Sequence, residues 1–218
     1  MRNAYFDQLD TIVDDLVAMT HDVQVAVSRS TQALLTADAA VAEQVISDDA
    51  ALDAARERVE RKSFELLALQ QPVASDLRML VAGLRMVADL ERMGDLSVHV
   101  AKVARLRVPE VAVPAELSPT IERMAVVAEK MVGTVAGIIA ERDVEGARRL
   151  EEDDEEMDQL RSSSFRLMLA DSWEHGVEPA VDIALLGRYY ERIADHAVSI
   201  ANRVVFVVTG QSPQEAGV

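Results

Sequence analysis

The chain has 218 residues, of which half are hydrophobic and only 4% aromatic; its net charge is −16 and it has no cysteine. That charge argues against a nucleic-acid grip, which needs clustered Lys and Arg against phosphates, and permits the opposite kind of partner, cations or a basic protein surface. Without cysteine there is neither a disulfide nor a thiolate metal site, and no apolar run approaches the ~18–20 residues that cross a bilayer. Asp7, Asp10, Asp14 and Asp15 follow Arg2, so no signal-peptide apolar region is expected and the expected location is cytoplasmic. The dominance of Ala, Val, Leu, Met, Glu, Asp and Arg favours helix over sheet.

Phe6, Leu9, Ile12, Val13, Leu16, Val23 and Val27 recur at three- and four-residue steps and predict a first helix over Tyr5 to Thr36. Asp38 is the expected N-cap of a second helix, whose stripe Val45, Leu52, Val59 and Leu66 runs to a stop at Gln71-Pro72. A third helix is predicted from Val73 to Leu106 on Met79, Met86, Met93 and Val100. Pro109, Pro114 and Pro119 then interrupt the pattern. Ser118-Pro119 opens a fourth helix ending near Glu141, and Asp143 begins a fifth that weakens at Trp173-Glu174-His175-Gly176. The sixth spans Pro179 to Thr209 on Leu186, Tyr189, Ile193, Ile200, Val204 and Val207, with Gly210 as its stop.

The two halves repeat. Residues 84–101 align on 184–201 without a gap, at an offset of 100. Asp38, Asp48, Asp49 and Asp53 align on Asp143, Asp153, Asp154 and Asp158 at an offset of 105, so the second hairpin is expected to be about one turn shorter. The predicted fold is all-α: two tandem three-helix bundles of up-down, spectrin-like helices related by the internal repeat. The expected boundaries are 1–108 and 119–210 for the bundles, 109–118 for a linker and 211–218 for a disordered tail.

Each repeat carries two acidic i, i+4 pairs: Asp49/Asp53 and Glu91/Asp95 in the first, Asp154/Asp158 and Glu191/Asp195 in the second. Residues equidistant from the turn of an antiparallel hairpin lie at one height. The midpoint of the first set is Pro72 and that of the second falls between Trp173 and Glu174, so in both repeats the pairs are expected to face each other. Glu91 and Asp95 point about 160° from Met93 at 100° per residue, which predicts a groove open at the surface. Four oxygen-donor groups in one place suit hard cations such as Mg, Mn, Ca or iron. A shared proton with raised pKa values, or a solvated acidic face with Arg92 and Arg192 as counter-ions, meets the same repulsion. His99 is a further candidate ligand on the Asp95 face, and His196 is second shell or core edge.

The run Glu191-Arg192-Ile193-Ala194-Asp195-His196-Ala197-Val198-Ser199-Ile200-Ala201, with Val207-Val208-Thr209-Gly210, resembles the signature of the PhoU family. Asp76-Leu77-Arg78 and Leu90-Glu91-Arg92-Met93-Gly94-Asp95 resemble the matching motif of its first repeat, although Asp76-Leu77-Arg78 has no clear copy in the second. The resemblance implies the PhoU-like pair of three-helix bundles, a homodimer and no catalysis. It implies negative regulation of phosphate uptake and phosphate-starvation signalling, by an adaptor between the ATPase subunit of the phosphate ABC transporter and a sensor histidine kinase. Membrane association would be peripheral, through those partners. It also implies multinuclear binding of divalent or trivalent metal ions (Fe, Mn, Zn or Mg). Carried over by position, the ligands are Asp49, Asp53, Glu91, Asp95, Asp154, Asp158, Glu191 and Asp195, with Arg92, Arg192, His99 and His196 behind them.

Two alternatives remain beside that reading. A metal-free acidic scaffold for basic partners would need only the charge. A di-metal carboxylate oxidase would need Glu-x-x-His motifs and inward carboxylates, neither of which this sequence has; nor does it have a nucleophile–base pair or a phosphate-cradling Gly loop.

Overall fold

The computed structural model of the chain describes residues 2–211, apart from the side chains of residues 2–4, 151 and 152; the expected tail falls, from residue 212 on, outside the described residues. The described residues form α1 (Arg2–Thr36), α2 (Ala39–Gln70), α3 (Ala74–Arg107), α4 (Ser118–Glu141), α5 (Val144–Met168) and α6 (Val177–Thr209). The two aspartates expected as caps do cap: Asp38 accepts from the backbone of Ala40 and Val41, and Asp143 from that of Gly146. Each follows a residue in the left-handed conformation, Ala37 (φ 53°) or Arg142 (φ 55°). In both corners the aspartate's backbone N–H reaches back to close the preceding helix, at Ala33 (3.1 Å) and Ile138 (3.2 Å).

The second hairpin is the shorter one, α5 having 25 residues against 32 in α2. The helix stops at Met168, earlier than the expected weakening at Trp173, because Asp171 and Ser172 favour turns. The Trp173 indole then donates to the Gly176 carbonyl (2.7 Å) and folds the connection back on itself. Gly176 (φ 80°) caps the start of α6 at Val177, three residues before Pro179, which occupies the first turn, where a missing N–H costs nothing.

α1, α3, α4 and α6 pack together in the centre, α1 on α4 and α3 on α6, while α2 lies outside on α1 and α3, and α5 outside on α4 and α6. One hydrophobic core runs through both repeats. The stripes Val45/Leu52/Val59/Leu66 and Met79/Met86/Met93/Val100 are all buried, each such side chain stabilising the fold by roughly 1.5–3 kcal/mol. Phe6, expected in the first stripe, is exposed. Ala112, Val113 and Leu117 tuck the segment between the repeats into the same core. No helix among the described residues is long and apolar enough to cross a membrane.

α3 and α6 run antiparallel. Arg107, at the end of α3, pairs with Glu178 and with Asp182 (2.7 Å) in the first turns of α6. Arg78, near the start of α3, lies against Gly210 at the end of α6. Between these ends a local two-fold relates the helices: Asp89 faces Ser199 (3.2 Å) as the aligned Tyr189 faces His99 (5.4 Å between rings).

Two polar contacts tie α6 to the first repeat, one to α1 and one across the seam to α3. Tyr190 is fully buried and donates to Thr31 Oγ1 of α1 (2.7 Å), whose own hydroxyl donates to the Val27 carbonyl. It takes the core position expected of Tyr189, which is half-buried instead. The cause lies across the repeats, since the four-residue step from Leu186 aims Tyr190 at α1 of the other half. Asp89 accepts from His196 (3.0 Å), Ser199 (3.2 Å) and Arg203 (3.1 Å), all on α6. Burial would raise its carboxyl, but the His196 hydrogen bond and the Arg203 guanidinium outweigh burial and hold it below the usual range.

A lowered folded-state pKa means that the stabilisation is complete above the unfolded value of about 3.9 and is lost as pH falls through the folded one. Asp89→Asn should therefore cost roughly 2–3 kcal/mol near neutral pH, with the deficit shrinking below about pH 4. Urea unfolding of both proteins across pH tests this; a pH-independent deficit contradicts it. Tyr190→Phe should cost about 1 kcal/mol and Tyr190→Ala about 3–5 kcal/mol by the same measurement; unchanged midpoints would contradict the burial.

Candidate functional site

In the first repeat Asp49 and Asp53 on α2 lie in the field of Glu91 and Asp95 on α3, the central helix that α2 packs against; in the second, Asp154 and Asp158 are carried by α5, and Glu191 and Asp195 by α6, the central helix that α5 packs against. Close approach of α2 and α3 is helped by Gly94, where a Cβ would lie 2.6 Å from Leu52 Cδ1 and 3.6 Å from Asp49 Oδ1. The aligned pair is Ala194 and Met157, where the additional methyl is matched by the more pliable side chain. A cavity of about 240 Å³ beside this contact is lined by Asp22, Arg29, Asp48 and Asp49.

In the first repeat the four groups share one field. Burial raises the Asp49 carboxyl, reinforced by Asp53 and Asp95 and opposed by Lys102 and His99. Burial likewise raises Glu91, with Asp95 adding to it, Arg56 opposing, and Asp53 and Asp49 adding again. Glu91 and Asp95 are half-buried against α2 rather than pointing outward as their angle from Met93 suggested. The reason is that α2 covers the flank of α3 that a lone helix would expose. Asp95 pairs with Arg92 (2.6 Å), while no cation among the described residues lies within ion-pair distance of Asp49, Asp53 or Glu91.

The second repeat is arranged differently. Asp195 pairs with Arg192 (3.1 Å) as in the first, but Arg161 of α5 crosses to Glu191 (2.7 Å) and lies over the Phe165 ring. Glu191 Oε2 is buried with no hydrogen-bond partner. In both halves a cation of the first helix holds the outer aspartate, Arg29 on Asp48 (3.1 Å) and Lys130 on Asp153 (2.6 Å).

The histidines behave unlike one another. His99 donates from Nδ1 to the Asp95 carbonyl (2.7 Å) and packs on Tyr189, which keeps it beside the first groove. His196 turns away from Asp195 to Asp89, and its Nε2 is buried without a partner. His175 rests on Trp173 and contacts Glu116, tying the α5–α6 connection to the segment between repeats.

Among the described residues, no three Asp, Glu or His side chains converge closely enough to hold a metal ion as they stand. The donor set fits a hard cation in kind, being all oxygen and anionic, and three of the first groove's carboxylates have no paired cation. Binding would require these side chains to turn inward from their present rotamers. Sequence reasoning missed Arg56 and Arg161, which repeat at the same offset of 105 as the aspartates three residues before them; that duplication was the available signal. Asp89 was missed as well, since its partners lie more than a hundred residues away.

Comparison with known proteins gives one answer. The model of the PhoU domain matches residues 16–104 and 121–204, one copy in each repeat. The phosphate-specific transport system accessory protein PhoU homolog 2 of Mycobacterium tuberculosis is 45% identical over 213 residues, 98% of this chain and 100% of its own. The PhoU homolog 1 of Mycobacterium leprae is 43% identical over 215 residues, 99% of this chain and 97% of its own. The crystal structure of PhoU from Pseudomonas aeruginosa superposes with a TM-score of 0.84 at 26% identity, covering 95% of this chain and 100% of that one. The duplicated helical plan, the duplicated acidic motifs and full-length identity agree: the chain belongs to the PhoU family.

Proposed function

We propose that this protein is an accessory protein of a phosphate transport system, acting as a negative regulator of phosphate uptake and of phosphate-starvation signalling. The observation that carries this reading is identity above 40% across nearly the whole chain to proteins named for that role. Members of the family are accessory and regulatory proteins rather than enzymes. The protein would work in the cytoplasm as a homodimer, joining the transporter's ATPase subunit to a sensor histidine kinase and reaching the membrane through them.

Within this role the two grooves would hold Fe, Mn, Zn or Mg ions, in multinuclear form where both α-helical pairs contribute. Asp49, Asp53, Glu91 and Asp95 would serve one groove, and Asp154, Asp158, Glu191 and Asp195 the other. Burial raises Asp49 and Glu91 and like-charge repulsion adds to it; a bound cation would relieve the second. Arg92 and Arg192 would remain as supporting charges, with His99 at the edge of the first groove.

The Arg161–Glu191 pair and the absence of a converged triad among the described residues favour a second reading, a metal-free acidic scaffold for basic partners. Elemental analysis of purified protein together with Glu91→Ala/Asp95→Ala decides between them. The first reading expects bound metal that the double variant reduces by about half while its helicity and its capture of the ATPase subunit persist. Protein free of Fe, Mn, Zn and Mg under every preparation leaves the scaffold, and failure to capture the ATPase subunit at all removes the adaptor role.

A further inference from the structure

Where α1 and α3 begin and α6 stops, the molecule holds a cavity of about 400 Å³, apart from the acidic pairs. Four charged residues line it: Asp10 on α1, Asp76 and Arg78 on α3, and Arg142 at the corner between α4 and α5. Among the described residues none of the four lies within ion-pair distance of an opposite charge. Ser75, also in the wall, has its Oγ 3.4 Å from Asp76 Oδ1. Two arginines and two aspartates thus share one hollow without closing on each other.

Arg78 carries the strongest signal. Its Nε is buried without a hydrogen-bond partner, and its guanidinium rests against Gly210 at the end of α6. A buried donor with no acceptor is costly enough to call for one. The opposite end of the α3–α6 contact shows what is missing here, since Arg107 there meets Glu178 and Asp182. Glu178 is the residue at offset 100 from Arg78, and Val207, the residue at that offset from Arg107, lines this cavity. One end is closed by an ion pair; the other presents a cation to a hollow. Arg142 adds a second cation from a left-handed position (φ 55°) that glycine would fill more easily, whereas the aligned Ala37 brings no charge. α3 also begins without a side-chain cap, so the dipole of its first turn favours an anion.

We propose that this cavity binds a protonated phosphate group, either free orthophosphate or the end of a small phosphate monoester. Near neutral pH such a group carries acceptor oxygens for Arg78 and Arg142 together with a P–OH donor for Asp76 or Asp10. Ionised carboxylates only accept and guanidinium groups only donate, so the mixed wall matches a ligand that does both. Sulfate has the same shape and no donor; it would leave the carboxylates facing bare oxygens, the kind of mismatch that polar sites reject strongly. The volume falls in the range of small-molecule sites, roughly 300–1,000 Å³, and Phe6, Leu9 and Val13 offer apolar wall to the organic part of an ester. The inference stands on this cavity and not on the accessory role proposed above, so either can fail alone.

Calorimetric titration of the dialysed full chain with orthophosphate, phenyl phosphate, sulfate and phenyl sulfate tests it. Both phosphates are expected to bind and both sulfates to bind at least tenfold more weakly. Phenyl phosphate tighter than orthophosphate by tenfold or more assigns the cavity to an ester; otherwise it belongs to the free ion. Arg78→Gln should weaken phosphate binding roughly ten- to hundredfold. Arg142→Gly should weaken it about three- to tenfold with Tm unchanged or raised, because glycine adopts that corner freely. Asp76→Asn, which puts an amide donor where a carboxylate only accepts, should narrow the preference for phosphate over sulfate by about tenfold. Circular dichroism melting confirms folding, and Arg142→Gly and Asp76→Asn still decide should Arg78→Gln not fold. No binding of either phosphate, sulfate bound as tightly as phosphate, or a phosphate affinity unmoved in every folded arginine variant overturns the proposal.

Discussion

The antiparallel contact between α3 and α6 is the constraint on which the rest of this structure depends. It places the end of each hairpin's central helix beside the start of the other, so that Arg107 can reach Glu178 and Asp182. It also buries the middle of both helices, where the Asp89 cluster makes the polar contacts that fix their register, while Tyr190 reaches past α3 to Thr31 of α1. With those faces committed to each other, the opposite flanks of α3 and α6 are left for α2 and α5. Those flanks carry the acidic pairs. The acidic pairs are thus a by-product of how the centre packs.

Cost and gain are separated in space along the same lines. The seam gains from apolar burial and from a buried carboxylate that is fully partnered. The first groove carries the opposite account: half-buried carboxylates raised by burial and by one another, with too few cations beside them. Such a concentration of like charge persists because the surrounding packing over-determines helix position. The strain is local and electrostatic, and a cation or a basic surface is the kind of group that relieves it.

Much of the architecture was legible in the sequence because it is written in short-range terms. Heptad stripes such as Met79/Met86/Met93/Val100 announce a buried helix face, and Asp38 and Asp143 announce two helix starts through their own hydrogen-bonding geometry. Hairpin arithmetic around Pro72 put Asp49/Asp53 opposite Glu91/Asp95, since rise per residue is all that calculation needs. What escaped was set by packing between repeats. Tyr190 and Tyr189 are equivalent on the periodicity of α6 alone, and only α1 tells them apart. Asp89 gave no local signal, and the choice Arg161 makes between its own helix and the next depends on a neighbour one turn away. Long charged side chains have several partners within reach, and spacing does not rank them.

The duplication itself has a consequence of a different kind. Had the same six helices been assembled from two identical three-helix chains, every position would be represented twice and every change made in both places at once. Joining the copies through the segment that carries Ala112, Val113 and Leu117 removes that obligation. Each position now has an independent twin, and one copy can drift in charge or shape while the other keeps its original character. The departures from symmetry already present (Gly94 against Ala194, His99 against Ser199, Asp89 against Tyr189) are the record of that freedom. They let a molecule with a nearly two-fold frame present two different faces to whatever it meets.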